Sequence, residues 1–312
     1  MKQQIMDLWK ISFGDSDAFV KLWFDRIYKS EQTLVIEKRG KIVSALQIIP
    51  REMAYFGERI PVAYVCGVCT LPAERGKGHM TQLMHEAQRV MLERRFALAT
   101  LIPNGEWLFG YYGRFGYATA FDLSVEMHRL RTQASSAVIC RTVPSGPVTE
   151  EDAIYRLYDL VQSARGSCTV LHRARDLELA RLDCLTDGGD CWVAHVDGQP
   201  AGIAFAVPED GGTVFFKEIA CDDGFPSRDA LIQSVMKHYH AHAARVRIQP
   251  VASSSVPYGM ARVLDAGRMY DICLRRNPLP ATGNPLRAGI AACTQILLGY
   301  DRRAGYMNLM LD

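Results

Sequence analysis

The order of elements repeats along this chain, and a repeated order leaves few folds open. In the first half, SFGDSDAFVKLWFDRIY has the pattern of a helix: Asp15 or Ser16 can cap its first turn, and Phe19, Trp23 and Ile27 recur at spacing four on one face. TLVIEKRGKIVSALQII predicts two strands joined by a turn at Arg39-Gly40, and RIPVAYVCGVCTL predicts a third. Beyond RGKGHM, the apolar positions Met80, Leu83, Met84, Ala87, Val90 and Met91 keep helical period, so a helix runs to Arg94 or Arg95. FALATLI reads as a short buried strand, GEWLFGYYGRFG as a short helix or tight turn, and YATAFDLSVEMHRL as a further strand.

After the polar connector RLRTQASSA the same order restarts. EEDAIYRLYDLVQSA and DLELARLDCLT predict helices, and CWVAHVDGQPAGIAFAVPEDGGTVFFKEIA predicts three strands turning at Asp197-Gly198 and Asp210-Gly211-Gly212. SRDALIQSVMKHYHAHA predicts a helix and ARVRIQP a strand. The chain ends with a proline-rich loop, NPLPATGNPLR, a helical stretch, AGIAACTQILLGY, and a strand-like piece, GYMNLMLD, whose alternating Met307, Leu309 and Leu311 argue for a packed terminus.

Length and composition bound the function. A chain of 312 residues is long for one core and comfortable for two domains. Apolar residues make up 48%, charged residues 22%, and the net charge is +2, so no basic excess argues for nucleic acid. The run GIAACTQILLGY falls well short of the roughly 20 residues of a membrane-spanning helix, and MKQQIMDLWK has no signal-peptide core, so a cytoplasmic protein without a membrane partner is expected. The nine cysteines are scattered like buried thiols of a reducing compartment. Cys66 and Cys69 are three apart in a strand-like run with no second ligand pair nearby, and His238 and His242, four apart on a helix, are joined by no cysteine or acid at ligand spacing. No metal is expected, and neither cysteine has a partner histidine in sequence that would mark a nucleophile.

The chemistry concentrates at RGKGHM. A turn between a strand and a helix start aims several unpaired N–H groups one way, and the helix dipole adds positive potential. Gly76 and Gly78 let the backbone approach an anion, while Arg75 and Lys77 supply charge. A Walker loop fails on spacing, since position 71 is Leu and position 78 is Gly; a dinucleotide fingerprint fails at Thr81.

What does fit is Arg-x-x-Gly-x-x from Arg75 to Met80. It resembles the coenzyme A pyrophosphate loop of the GNAT acetyltransferase superfamily, with Met80 in place of the usual small residue. The block YGRFGY, Tyr112 to Tyr117, and its distance from the loop resemble the catalytic half of the Eis-type branch, multi-domain proteins that acetylate amines, in which a bulky residue also closes the loop. The resemblance implies an α/β (α+β) chain of tandem GNAT-like domains, each a mixed, mostly antiparallel sheet flanked by helices, with a short C-terminal segment packed back. It places a catalytic, acetyl-CoA-binding domain over 1–130 and a second, non-catalytic GNAT-like domain over 137–280. Residues 281–312 then match a reduced sterol-carrier-like remnant ending near the active site. The second copy carries acids, CDDGFPSRDA, where the first has RGKG, so phosphate would be repelled there.

Carried over position by position, the resemblance implies that Val68 and Thr70 pair with the pantetheine arm, with Val68 N–H polarising the thioester carbonyl. Arg75, Gly76, Lys77, Gly78, His79 and Met80 form the pyrophosphate loop, and Asn104 lies near the arm. Tyr112 protonates the leaving thiolate. Asp312, through its side chain and the chain's terminal carboxylate, matches the base. Asp15, in SFGD, lines the amine pocket, with Trp23 and Phe24 offering aromatic faces to a cation. An alkyl amine of pKa about 10.4 must lose a proton to attack, and a thiolate of pKa about 8.5 leaves better when protonated, so these roles suit the chemistry.

The expected activity is acetyl-CoA-dependent N-acetylation of a primary amine, on a small molecule or a lysine side chain, by direct attack on the thioester. A homo-oligomer is left open by the relatives' assembly. Two other readings remain: a non-catalytic coenzyme A-binding sensor or interaction module, and a tandem-GNAT aminoacyl transferase. The last would need a groove for transfer RNA and a basic surface that this composition does not show.

Overall fold

The computed structural model describes residues 1–131, 138–141, 148–221, 227–276, 284–302 and 305–310. The chain divides into two compact units, the first made of residues 1–121 and 257–305, the second of 122–256 and the end of the chain from Tyr306.

The first unit opens with two helices, α1 (Lys2–Phe13) and α2 (Asp17–Arg26). Gly14 ends α1 in the left-handed region, and Ser16 caps α2 by accepting from Phe19 N at 3.2 Å. A meander follows: β1 (Thr33–Lys38), β2 (Lys41–Tyr55) and β3 (Glu58–Thr70), all antiparallel. Arg39 and Gly40 both have positive φ, the two-residue hairpin geometry that follows strand twist. Next come α3 (His79–Glu93), β4 (Leu98–Leu101), α4 (Glu106–Gly113) and β5 (Ala118–Arg129). The periodic face of α3 is buried as its spacing predicts: Leu83, Met84, Ala87 and Met91 pack on Leu46 and Ile48 of β2 and on Ala63 and Val65 of β3.

In the second unit the described elements are β6 (Val138–Arg141), α5 (Ala153–Ala164), β7 (Cys168–Leu171), α6 (Ala174–Thr186), β8 (Asp190–Val196), β9 (Gln199–Glu209), β10 (Thr213–Cys221), α7 (Ser227–His238) and β11 (Ala243–Ile248). β8, β9 and β10 form an antiparallel meander, β10 and β11 run parallel, and Ser124–Arg129 of β5 closes on β11 antiparallel. The repeated order is therefore real at the level of strands: antiparallel meander, helix, parallel strand in each unit.

The chain then returns to the first unit with β12 (Val256–Val263), α8 (Ala266–Arg276) and α9 (Ile290–Leu297), before β13 (Gly305–Tyr306). β12 pairs antiparallel with β4, Met260 opposite Leu101 and Val263 opposite Leu98. The domain limits expected from sequence therefore differ from the compact units. The described residues 257–276 pack with the first unit rather than the second, because β4 takes its second neighbour from late in the chain, and the described residues after 283 divide between the two units at Tyr306. The tail is packed as expected, but on both faces: all of Tyr306–Met310 is buried, the strand already ends at Tyr306, and Leu309 has positive φ. The connector 132–137, the acidic turn 222–226, the proline-rich segment 277–283 and the end residues 311–312 lie outside the described residues.

Candidate active site

The site is built where β3 outruns its neighbour. β3 and β4 run parallel with Val62 opposite Leu98 and Tyr64 opposite Thr100; β4 then ends at Leu101 while β3 continues to Thr70. On its other edge the ladder with β2 shifts, Ala45 opposite Cys69 but Gln47 opposite Cys66, so β3 holds one residue too many. This is a β-bulge, and it re-aims the backbone of the stretch Cys66–Cys69. Gly67 sits in it at φ 59°, and a Cβ there would lie 2.6 Å from Trp9 Cζ3 and 3.3 Å from Gln47 Nε2. Only glycine fits both the angle and the space.

Past the bulge, Ser44 Oγ donates to Cys69 O at 3.0 Å and meets Thr70 Oγ1 at 2.8 Å, while Arg75 Nε donates to Thr70 O at 3.2 Å. These bonds hold the strand end that leads into the glycine loop. Gly76 and Gly78 have positive φ, and a Cβ added at either would meet nothing within 4 Å, so the loop presents open backbone at the start of α3. Glu74 gathers three side chains: Lys77 Nζ at 2.9 Å, Lys38 Nζ at 2.9 Å and His79 Nε2 at 3.0 Å. These partners, Lys77 first, hold the Glu74 carboxyl down at about 2. Of the six loop residues the last two turn inward at the start of α3: His79 is buried and Met80, partly buried, packs against the hydrophobic core that Val68 also touches.

Tyr112, on α4, is only 6% exposed and packs in the same core, with Val68 against it. Its ring meets Tyr111 at 5.3 Å and Tyr117 at 6.2 Å, both edge-on. Burial raises its pKa, and the neighbouring Tyr111, Cys66 and Cys69 add to the rise, so the phenol stays protonated and stands close to the bulge. The YGRFGY block is locked behind it: Phe115 O accepts from Gln88 Nε2 at 3.0 Å and from Arg262, and a Cβ on Gly116 would strike Arg262 Nη1. Burial also pushes up the Cys66 thiol and takes Cys69 to about 12, which leaves both as neutral thiols and poor nucleophiles. Asn104 is exposed on the turn before α4.

Across the bulge lie the two N-terminal helices. Trp9 Nε1 donates to Asp15 Oδ2 at 2.6 Å, so Asp15, exposed at the α1–α2 turn, braces the ring that covers Gly67 while Ser16 does the capping. Trp23 and Phe24 are 2% and 1% exposed. Their rings are spent on Trp9, Phe19 and Tyr28, which corrects the expectation of open faces for a cation. Sequence reasoning missed Gln47. Its Oε1 accepts from Trp23 Nε1 at 3.2 Å, while its Nε2, buried beside Gly67, has no partner among the described residues. The signal available was one amide in the otherwise apolar run IVSALQII. Lys38 and Glu74 were missed as well, and Asp312 lies outside the described residues. In the second unit His238 packs on Trp192 at 4.6 Å and on Tyr239 at 4.9 Å, a structural use of the histidine.

Residues 2–120 match the family model described as an acetyltransferase (GNAT) domain. No curated protein matches the chain in sequence. Among solved structures, a probable N-acyltransferase from Enterococcus faecalis is similar with a TM-score of 0.69 at 16% identity, over 85% of this chain and 70% of that one. A GCN5-related N-acetyltransferase from Anabaena variabilis is similar at 0.67 and 17% identity, over 86% and 71%. Eis1 from Mycobacterium abscessus is similar at 0.63 and 14% identity, over 86% and 72%. Residues 2–120 thus match a GNAT acetyltransferase domain, and the chain shares with these structures a tandem α/β fold of mostly antiparallel strands.

Proposed function

We propose that this protein is an acetyl-CoA-dependent N-acetyltransferase acting on primary amines. The observation that carries the reading is β3: it leaves β4 after Tyr64, bulges at Gly67 and ends at a glycine loop with open backbone at the start of α3. An extended amide-rich arm ending in a pyrophosphate suits that path. The arm would take strand-like bonds from Val68 and Thr70 and pass Asn104, and the phosphates would take N–H groups and cations of Arg75 to Met80. Lys38 adds a further cation from β1, and Glu74 holds Lys38, Lys77 and His79 near the loop.

Acetyl-CoA supplies a thioester carbonyl that an amine can attack. In this reading Val68 N–H polarises the carbonyl oxygen, and Tyr112 gives its phenolic proton to the departing sulfur, a role that a buried, neutral phenol can fill. The amine arrives from the α1–α2 side, where Asp15 attracts a cation and the unpaired Gln47 Nε2 offers a donor beside the bulge. Asp312 is proposed as the base that takes the amine's proton.

The test is a thermal-shift titration with acetyl-CoA paired with transfer assays over aminoglycosides, polyamines and lysine peptides. Saturation at 100 times Kd should stabilise the fold by about 2.7 kcal/mol, and Gly78→Glu should abolish the shift. No shift in the wild type, or an undiminished one in Gly78→Glu, overturns the cofactor assignment. Binding without transfer to any amine would leave the sensor reading instead.

A further inference from the structure

The second unit repeats the geometry that makes the site in the first. β10 and β11 run parallel from Thr213 opposite Ala243 to Phe216 opposite Val246, and there the parallel register ends. At that point the ladder of β10 with β9 shifts, Phe216 opposite Ala206 but Glu218 opposite Phe205, which makes Lys217 an extra residue. A parallel pair that stops at a bulge is what β3 and β4 show around Tyr64 and Gly67. Backbone groups released by such a bulge need partners once buried. In the first unit Cys66, Gly67 and Val68 stay partly exposed, whereas in the second Glu218, Ile219 and Ala220 are buried.

What covers them is the chain's own tail. Asn308 Nδ2 donates to Lys217 O at 2.5 Å and to Glu218 Oε2 at 3.1 Å, and Asn308 Oδ1 accepts from Arg247 Nη1, on β11, at 3.1 Å. One carboxamide therefore links β10 to β11 just where their own pairing has stopped. His172 Nε2 meets Asn308 O at 2.7 Å, and Tyr306 OH donates to Glu218 Oε2 at 2.8 Å. Arg165 completes the enclosure: it pairs with Glu218 Oε1 at 2.5 Å, donates to Ile219 O and to Tyr306 OH, and lies 4.9 Å over the Tyr306 ring. One of these bonds, Asn308 Nδ2 to Lys217 O, is an amide contact to the freed strand backbone, the kind of contact an amide-bearing arm would make; the others fix the tail through the side chains of Arg165, His172, Glu218 and Arg247.

We infer that the gap between β10 and β11 is a peptide-binding slot whose ligand is this chain's own segment Tyr306–Met310, held by Asn308 in the place that the first unit leaves open for its donor. The comparison with a donor arm rests on the function proposed above; the docking of the tail does not. The second unit is then a receptor for the tail, and the tail and the slot open together.

Hydrogen exchange of the full chain, followed by mass spectrometry without any ligand, tests this. In the wild type, amides of 306–310 and of 217–221 should exchange slowly and at similar rates. Asn308→Asp puts a carboxylate oxygen where the amide N–H groups faced Lys217 O and Glu218 Oε2, so exchange in both segments should rise at least tenfold while 62–70 is unchanged. If Asn308→Asp unfolds the whole unit, Tyr306→Phe, which removes one hydroxyl, should accelerate the same two segments together by a few fold. Rapid exchange of the tail in the wild type, or acceleration of the tail with 217–221 left slow, overturns the inference. Because no donor is present, this outcome is independent of whether the first unit binds acetyl-CoA.

Discussion

β3 and β10 are the same device in two settings. Each runs beside a parallel strand, leaves it, and bulges at the point of departure, Gly67 in one and Lys217 in the other. In the first unit the freed stretch leads into RGKGHM, with open backbone and cations gathered on Glu74. In the second it is closed by a buried ion pair, Arg165 with Glu218, and by Asn308. The difference teaches that two splayed strand pairs of the same register can be finished differently: one is left partly exposed beside a glycine loop, the other is covered by the chain's own tail.

The contrast can be broken most forcefully at the ion pair. Arg165→Met would leave the Glu218 carboxylate, 1% exposed, without its cation, a loss of about 3–5 kcal/mol that urea unfolding would read. A loss under about 1 kcal/mol would mean that the second slot is not sealed by charge. In the first unit the large effect should fall on rate instead. Tyr112→Phe should cut kcat about a hundredfold while the Kd for acetyl-CoA stays within twofold, by the usual scale for a lost general acid. An unchanged kcat would remove Tyr112 from the chemistry.

Gly67→Ala sharpens the comparison at the bulge. Its Cβ would enter the Trp9 ring at an angle alanine avoids, so stability should fall by about 2 kcal/mol, measured by chemical denaturation. Lys77→Met touches an exposed pair, so stability should change by less than about 1 kcal/mol, while acetyl-CoA affinity falls about tenfold. The smallest effect concerns pH. Glu74 is held at about 2 against an ordinary 4.5, so its contribution is complete above pH 4.5 and is lost as pH falls toward 2. Glu74→Gln should flatten that part of the acid-unfolding curve, and a curve superimposing on wild type over this range would contradict the assigned clamp.

Local features were legible because local physics sets them. The hairpin at Arg39-Gly40, the cap at Ser16 and the buried face of α3 follow from turn chemistry and period. The place of the loop was legible too, since its glycines fall between a strand-like run and a helical period. Long-range partners were not. Nothing in VPYGMARV announces that β12 will pair with β4, and nothing in YMNLMLD marks Asn308 as a bridge, because both depend on strands far away in sequence. Trp23 and Phe24 misled for the same reason: helical spacing gives the face of a residue but not what covers it. Glu74, in the short turn after β3, could have been found, since an acid directly before RGKG stands within reach of its lysine.

The claim that the first slot is open to the donor and the second is filled by the tail is tested most directly by the hydrogen-exchange footprint of saturating acetyl-CoA on the full chain. Protection should appear in 65–80 and leave 217–221 and 243–248 unchanged. Protection of the second set, or none in the first, would contradict it.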